Sequence, residues 1–121
     1  MHALIIEDQV LIAAMIEQSL RDLGYTTFDI ATREGQAVAA AEALCPDLIT
    51  ADDRLTDGSG IRAVQTICEK RAIPVVVIAA ANGLDLGAIP HAVILPKPFA
   101  SAAFRDAVAE AIVSAFRPIA E

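Results

Sequence analysis

The sequence predicts an α/β domain, a (βα)5 doubly wound five-stranded parallel sheet with helices on both faces. Three observations point there. Five short apolar or β-branched runs, at about 3–6, 26–31, 48–51, 74–80 and 92–95, alternate with segments of helical period. Most of these runs are apolar at nearly every position, as strands covered on both faces are. The 121 residues suit one domain, with no linker, repeat or low-complexity stretch to divide them.

Each element has its own signal. Ala3 to Ile6 is a buried strand that stops at the acids Glu7 and Asp8. From Gln9 to Leu23, Leu11, Ile12, Met15, Ile16, Leu20 and Leu23 recur at helical spacing, and Gly24 is a C-terminal stop. Thr32 is placed to cap a second helix over about 33–44, with Glu34 and Gln36 in its first turn and Pro46 beyond its end. The third run ends at Asp52. The turn Asp57-Gly58-Ser59-Gly60 then opens a helix over about 60–70. Residues 82–90 hold two Gly and a Pro, which predicts a short or mobile fourth helix. The last helix, 101–116, carries Phe104, Ala107, Val108, Ala111, Ile112 and Ala115 on one face.

Composition narrows the function classes. Hydrophobic residues make up 55% and aromatics 4%, so the core is built from Ala, Val, Ile and Leu. Sixteen acids against nine Lys and Arg give a net charge of −7, a poor footprint for nucleic acid. Acidity suits a cation site or a basic protein partner, and it also serves plain solubility. Cys45 and Cys68 form no CxxC pair and read as buried or idle thiols of a reducing cytosol. With only His2 and His91, zinc is not expected. The N-terminal apolar run is too short for a signal peptide, and no stretch approaches a membrane span of roughly 20 apolar residues. A soluble cytoplasmic protein is expected, with no membrane partner.

In a doubly wound parallel sheet, ligands bind at the carboxyl ends of the strands. Glu7 and Asp8 follow the first strand, Asp52 ends the third and Lys97 follows the fifth, so all four are expected at one edge. Converging carboxylates repel and call for a cation. An oxygen-only donor set suits Mg²⁺. A bound divalent ion and Lys97 together would attract a phosphoryl group, and a carboxylate is an established acceptor in aspartyl-phosphate chemistry. Asp53 competes with Asp52 for this role. Strand neighbours face opposite ways, so only one of the two is expected to face the pocket.

These residues, with Ile5-Ile6-Glu7-Asp8, Pro46 to Asp52, Leu55-Thr56-Asp57-Gly58-Ser59-Gly60, Ile73 to Val77 and Leu95-Pro96-Lys97-Pro98-Phe99, together resemble the receiver domain of response regulators. The resemblance spans essentially the whole chain, with the pieces in order. It implies a flavodoxin-like sheet of strand order 2-1-3-4-5 and a two-component signalling role. It implies Asp52 as phosphoacceptor and Mg²⁺ held by Glu7, Asp8, Asp52 and the backbone carbonyl of Arg54. It implies Lys97 pairing first with the acceptor and then with the phosphoryl group, and a cis Lys97–Pro98 peptide. The implied donor is a histidine kinase or histidine phosphotransfer protein. A downstream protein would bind the helix 4 to helix 5 face, and the domain would be a monomer or weak homodimer.

Two positions depart from the family. Ala79 stands where a Thr or Ser hydroxyl normally meets the phosphoryl group, and Ile94 where an aromatic rotamer switch is usual. A hydrogen bond to a charged group contributes roughly 1.5–3 kcal/mol. Its loss implies weaker coupling of phosphorylation to conformation, or coupling by another route such as the 82–90 segment. Arg54 or Asn82 would then reach the phosphoryl oxygens. The leading expectation is a stand-alone receiver, a phosphorylation-dependent binding module or a phosphorelay shuttle or sink, and not an enzyme. The alternative is a degenerate receiver that binds partners without phosphate. A phosphatase with an aspartate nucleophile lacks a leaving-group acid and any insertion that would enclose a substrate.

Overall fold

The computed structural model describes residues 1–79 and 89–116. The elements run β1 (His2–Ile6), α1 (Val10–Asp22), β2 (Thr27–Ala31), α2 (Glu34–Ala43), β3 (Leu48–Asp52), α3 (Gly60–Cys68), β4 (Val75–Ala79), β5 (Val93–Pro96) and α4 (Ser101–Phe116). The five strands form one parallel sheet in the order β2-β1-β3-β4-β5. The expected fourth helix falls largely outside the described residues. The 101–116 helix, the fifth by expectation, is therefore α4.

Period-two alternation sorts each strand between two cores. Ala3, Ile5, Leu48, Val76, Ile78 and Leu95 face α1 and α4, packing with Ile16, Leu20, Phe104 and Val108. Leu4, Ile6, Ile49, Ala51, Val75 and Val77 face α2 and α3, packing with Ala37, Val64, Ile67 and Ile89. Burial on both faces explains why these strands read as continuous apolar runs.

Register places the site. Ile6 pairs with Ala51, Ala51 with Val77, and Ile78 with Leu95, so the carboxyl ends finish almost level. The ladders run one residue further at Glu7 N–H to Ala31 O (2.9 Å), Asp53 N–H to Ile78 O (3.1 Å) and Lys97 N–H to Ala79 O (3.0 Å). The residues after β1, β3 and β5 thus leave the sheet at one edge.

Three local expectations are corrected. Leu11 and Met15 of α1 are exposed, 80% and 60%, while Ala13, Ile16 and Leu20 are the buried stripe. The apolar arc of this helix is wider than the face the sheet covers. Thr32 does not cap α2. Its N–H and Oγ1 both bond Gln36 Oε1, and the first donor of the helix, Glu34 N–H, bonds Asp57 O across the sheet edge. Cys45 is exposed and Cys68 half-buried rather than fully enclosed. The Gly24 stop is as expected, at a φ of 101°.

Gly60 opens α3 against the end of β3, and a Cβ there would overlap the Asp52 carbonyl oxygen. Gly60→Ala must push the first turn of α3 away from Asp52. We expect a loss of about 1–3 kcal/mol, the usual cost of overpacking, read as a lower urea midpoint at unchanged slope. An unchanged midpoint would show that this approach is loose.

Candidate functional site

The first acid belongs to the end of β1. Glu7 is 1% exposed, held under the sheet edge by the backbone. Its Oε2 accepts the Gln9 N–H at 3.0 Å, where α1 begins. Its Oε1 is buried with no hydrogen-bond partner among the described residues. Burial pushes the Glu7 carboxyl up to about 7; the Gln9 N–H pulls it down, and the Asp52 charge adds to the rise. Asp8 lies one residue further out, half-buried. Its Oδ2 accepts both the N–H of Thr56, at 2.7 Å, and the Thr56 Oγ1 hydroxyl, at 2.6 Å. Those two donors hold its carboxyl below the ordinary aspartate range.

Asp52, the last residue of β3, is 4% exposed. Its Oδ1 accepts the Arg54 N–H at 3.1 Å, and its Oδ2 faces Lys97 Nζ at 3.1 Å. Lys97 reaches back from β5 past the cis Lys97–Pro98 peptide. Asp8, Asp52, Asp53, Arg54, Thr56 and Lys97 line a cleft of about 550 Å³. One carboxylate oxygen from each of Glu7, Asp8 and Asp52 lies within 4.8 Å of the others. Residues from three separate strand ends are thus brought together as expected.

One expectation about neighbours changes. Asp53 lines the same cleft as Asp52, because β3 ends at Asp52 and side-chain alternation stops with it. Burial raises the Asp53 carboxyl, and hydrogen bonding to Asp52 and its charge add to the rise. The direct bond to Lys97 belongs to Asp52 alone among the described residues. Ala79 is buried at the end of β4 with its carbonyl on Lys97 N–H, and Ile94 is 44% exposed. Asn82 lies outside the described residues. Thr56 and Gln9, which carry no signal of their own in the sequence, contribute to the hydrogen bonding of the acids. Thr56 sits 48 residues from its partner Asp8, a separation at which no spacing rule operates.

Three carboxylates this close are mutually repulsive without a countercharge, and Lys97 makes its direct ion pair with Asp52 while only partly offsetting the charge on Glu7. The buried, unpartnered Glu7 Oε1 and the all-oxygen donor set fit a hard divalent cation such as Mg²⁺. Without metal, Glu7 retains its proton on folding well above the pH at which the unfolded chain releases it. Stability in EDTA is therefore expected to fall as pH rises from about 4.5 to about 7. Glu7→Gln should flatten that slope in urea titrations at several pH values. The same slope in both proteins would contradict this account of Glu7.

Comparison with known proteins agrees with this geometry. The response regulator receiver domain profile matches residues 3–109. The transcriptional regulatory protein PdtaR of Mycobacterium tuberculosis is 36% identical over 98% of this chain and 59% of its own length. The phyllosphere-induced regulator PhyR of Methylorubrum extorquens is 36% identical over 90% of this chain and 42% of its own. This chain therefore spans about half the length of these curated relatives. The solution structure of the PhyR receiver domain from Erythrobacter litoralis superposes with a TM-score of 0.82 at 29% identity, covering 99% of this chain and 95% of that one. Strand order, the acidic cleft and the profile match together show that the chain belongs to the response regulator receiver domain family.

Proposed function

We propose that this domain accepts a phosphoryl group on Asp52, with Mg²⁺ held by Glu7, Asp8, Asp52 and the Arg54 carbonyl. The observation that carries the reading is the contact of Lys97 Nζ with Asp52 Oδ2, 3.1 Å across 45 residues of sequence, in a cleft shared with Asp8. When bound, Mg²⁺ would neutralise the carboxylates and the charge that develops on the transferring group. Asp52 supplies the nucleophilic oxygen. The P–N bond of a donor phosphohistidine breaks, its electron pair goes to the imidazole nitrogen, and an O–P bond forms at Asp52. Lys97 then shifts from the free carboxylate to the phosphoryl oxygens. Water later attacks phosphorus, restoring the carboxylate and releasing inorganic phosphate.

The donor would be a histidine kinase or histidine phosphotransfer protein in the cytoplasm. Such a partner must pack around the mouth of the cleft; α1, which follows the cleft-lining Gln9, exposes Val10, Leu11 and Met15. A shallow apolar cleft of about 390 Å³, lined by Ile12, Met15, Lys97, Pro98 and Phe99, adjoins it. A downstream protein would read the face towards the last helix, α4. No helix among the described residues is long and apolar enough to cross a membrane.

Ala79 and Ile94 favour a second reading, a receiver that binds partners without phosphate. Incubation with Mg²⁺ and acetyl phosphate, followed by intact mass, separates the two. The first reading expects one added phosphoryl group that EDTA prevents. No added mass under any condition would leave the second.

A further inference from the structure

Asp8 lies beside two other carboxylates and is half-exposed, so repulsion alone would turn its side chain away from them towards water. The side chain does not turn away. Its Oδ2 is gripped by two donors of one residue, the Thr56 N–H at 2.7 Å and the Thr56 hydroxyl at 2.6 Å. Both distances are those of charge-assisted bonds. In this gripped rotamer an oxygen of Asp8 lies within 4.8 Å of oxygens of Glu7 and Asp52. With Oδ2 committed to Thr56, Oδ1 is the oxygen that remains for a cation.

We infer that Thr56 is a positioning residue for the divalent-cation site, holding the Asp8 carboxylate against the repulsion of Glu7 and Asp52 so that its second oxygen is ready for the metal. The inference rests on the proposed cation site. The backbone N–H is available from any residue but proline, whereas the hydroxyl bond requires Thr or Ser. Thr56 also ties the β3–α3 loop to the end of β1, so that cation binding and loop position are linked through one side chain. Removing an outer-shell partner of a metal ligand typically lowers metal affinity about 10–100-fold.

The test is Mn²⁺ binding to the 121-residue chain, read from the free-ion electron paramagnetic resonance signal, for wild type, Thr56→Val, Thr56→Ser and Asp8→Asn. Valine keeps the shape and the backbone bond but removes the hydroxyl. We expect Thr56→Val to bind about tenfold more weakly, Thr56→Ser to recover most of that loss, and Asp8→Asn to bind more weakly still. Wild-type affinity in Thr56→Val, with Asp8→Asn impaired, would overturn the role of Thr56 and leave the cation site standing. Equal loss in the Val and Ser variants would also overturn it, since general damage to the loop would then be the cause. Indistinguishable wild type and Asp8→Asn would remove the cation site itself, and the inference with it.

Discussion

Asp52→Asn is expected to abolish phosphoryl uptake from acetyl phosphate while leaving the fold intact. The amide keeps the size and shape of the side chain, so the 4%-exposed position at the end of β3 stays filled. It can still accept the Arg54 N–H through its oxygen. What it loses is the anionic oxygen, and a neutral amide does not form an acyl phosphate. It also removes one of the three clustered carboxyl groups that could hold the cation. Mn²⁺ affinity should therefore fall at least as far as for an outer-shell substitution, about tenfold. Intact mass, circular dichroism and Mn²⁺ titration read the three effects separately. Wild-type phosphoryl uptake by Asp52→Asn would assign the chemistry elsewhere, and Asp53, in the same cleft, would be the first place to look.

Lys97→Met should produce the second large effect, with a distinctive pair of signs. The ammonium 3.1 Å from Asp52 Oδ2 is the one side-chain cation on that carboxylate among the described residues. A preorganised charge aimed at a developing negative group typically contributes about 10²–10³ in rate. Phosphoryl uptake by Lys97→Met is expected to slow by about 100-fold or more. Its Mn²⁺ affinity should rise or stay level, because the lysine competes with the metal for Asp52. A general disruption of the site would lower both quantities. Falling Mn²⁺ affinity alongside the slower uptake would count against the assigned role.

Much of the fold is legible in the chain because both of its governing signals are local. The uniform apolar runs at 48–51 and 74–80 mark strands that the structure buries on both faces. The segment after Ser59 becomes a helix capped by the Ser59 side chain on Arg62 N–H. The site is legible for the same reason. Glu7, Asp52 and Lys97 all stand where a strand ends, and parallel topology gathers strand ends. What resisted reading depends on distance or on competing partners. Thr32 looks like a cap, but Gln36 engages its side chain, and the loop at Asp57 satisfies the helix start instead. Leu11 and Met15 have the spacing of a core face, yet the sheet covers only the Ala13, Ile16 and Leu20 stripe. Strand alternation does not extend to Asp53, because β3 ends at Asp52. The bond from Thr56 to Asp8 joins two loops whose proximity follows only from the assembled sheet.

On the proposed reading, departures from the family pattern bear on output rather than on phosphoryl capture. Ala79 offers the cleft no hydroxyl, and the side chain of Ile94 offers no aromatic ring. The proposed acceptor, its lysine and the carboxylate cluster are all in place. On the proposed reading, phosphoryl capture and conformational response are therefore separable, and a direct test belongs to the first.

An acyl phosphate is reduced by borohydride to the alcohol, which converts a phosphorylated aspartate to homoserine. The 121-residue chain, treated with Mg²⁺ and acetyl phosphate, reduced and digested, should contain homoserine at position 52 and at no other aspartate. Homoserine at position 53 alone, or at none of the acids of the cleft, would contradict the account.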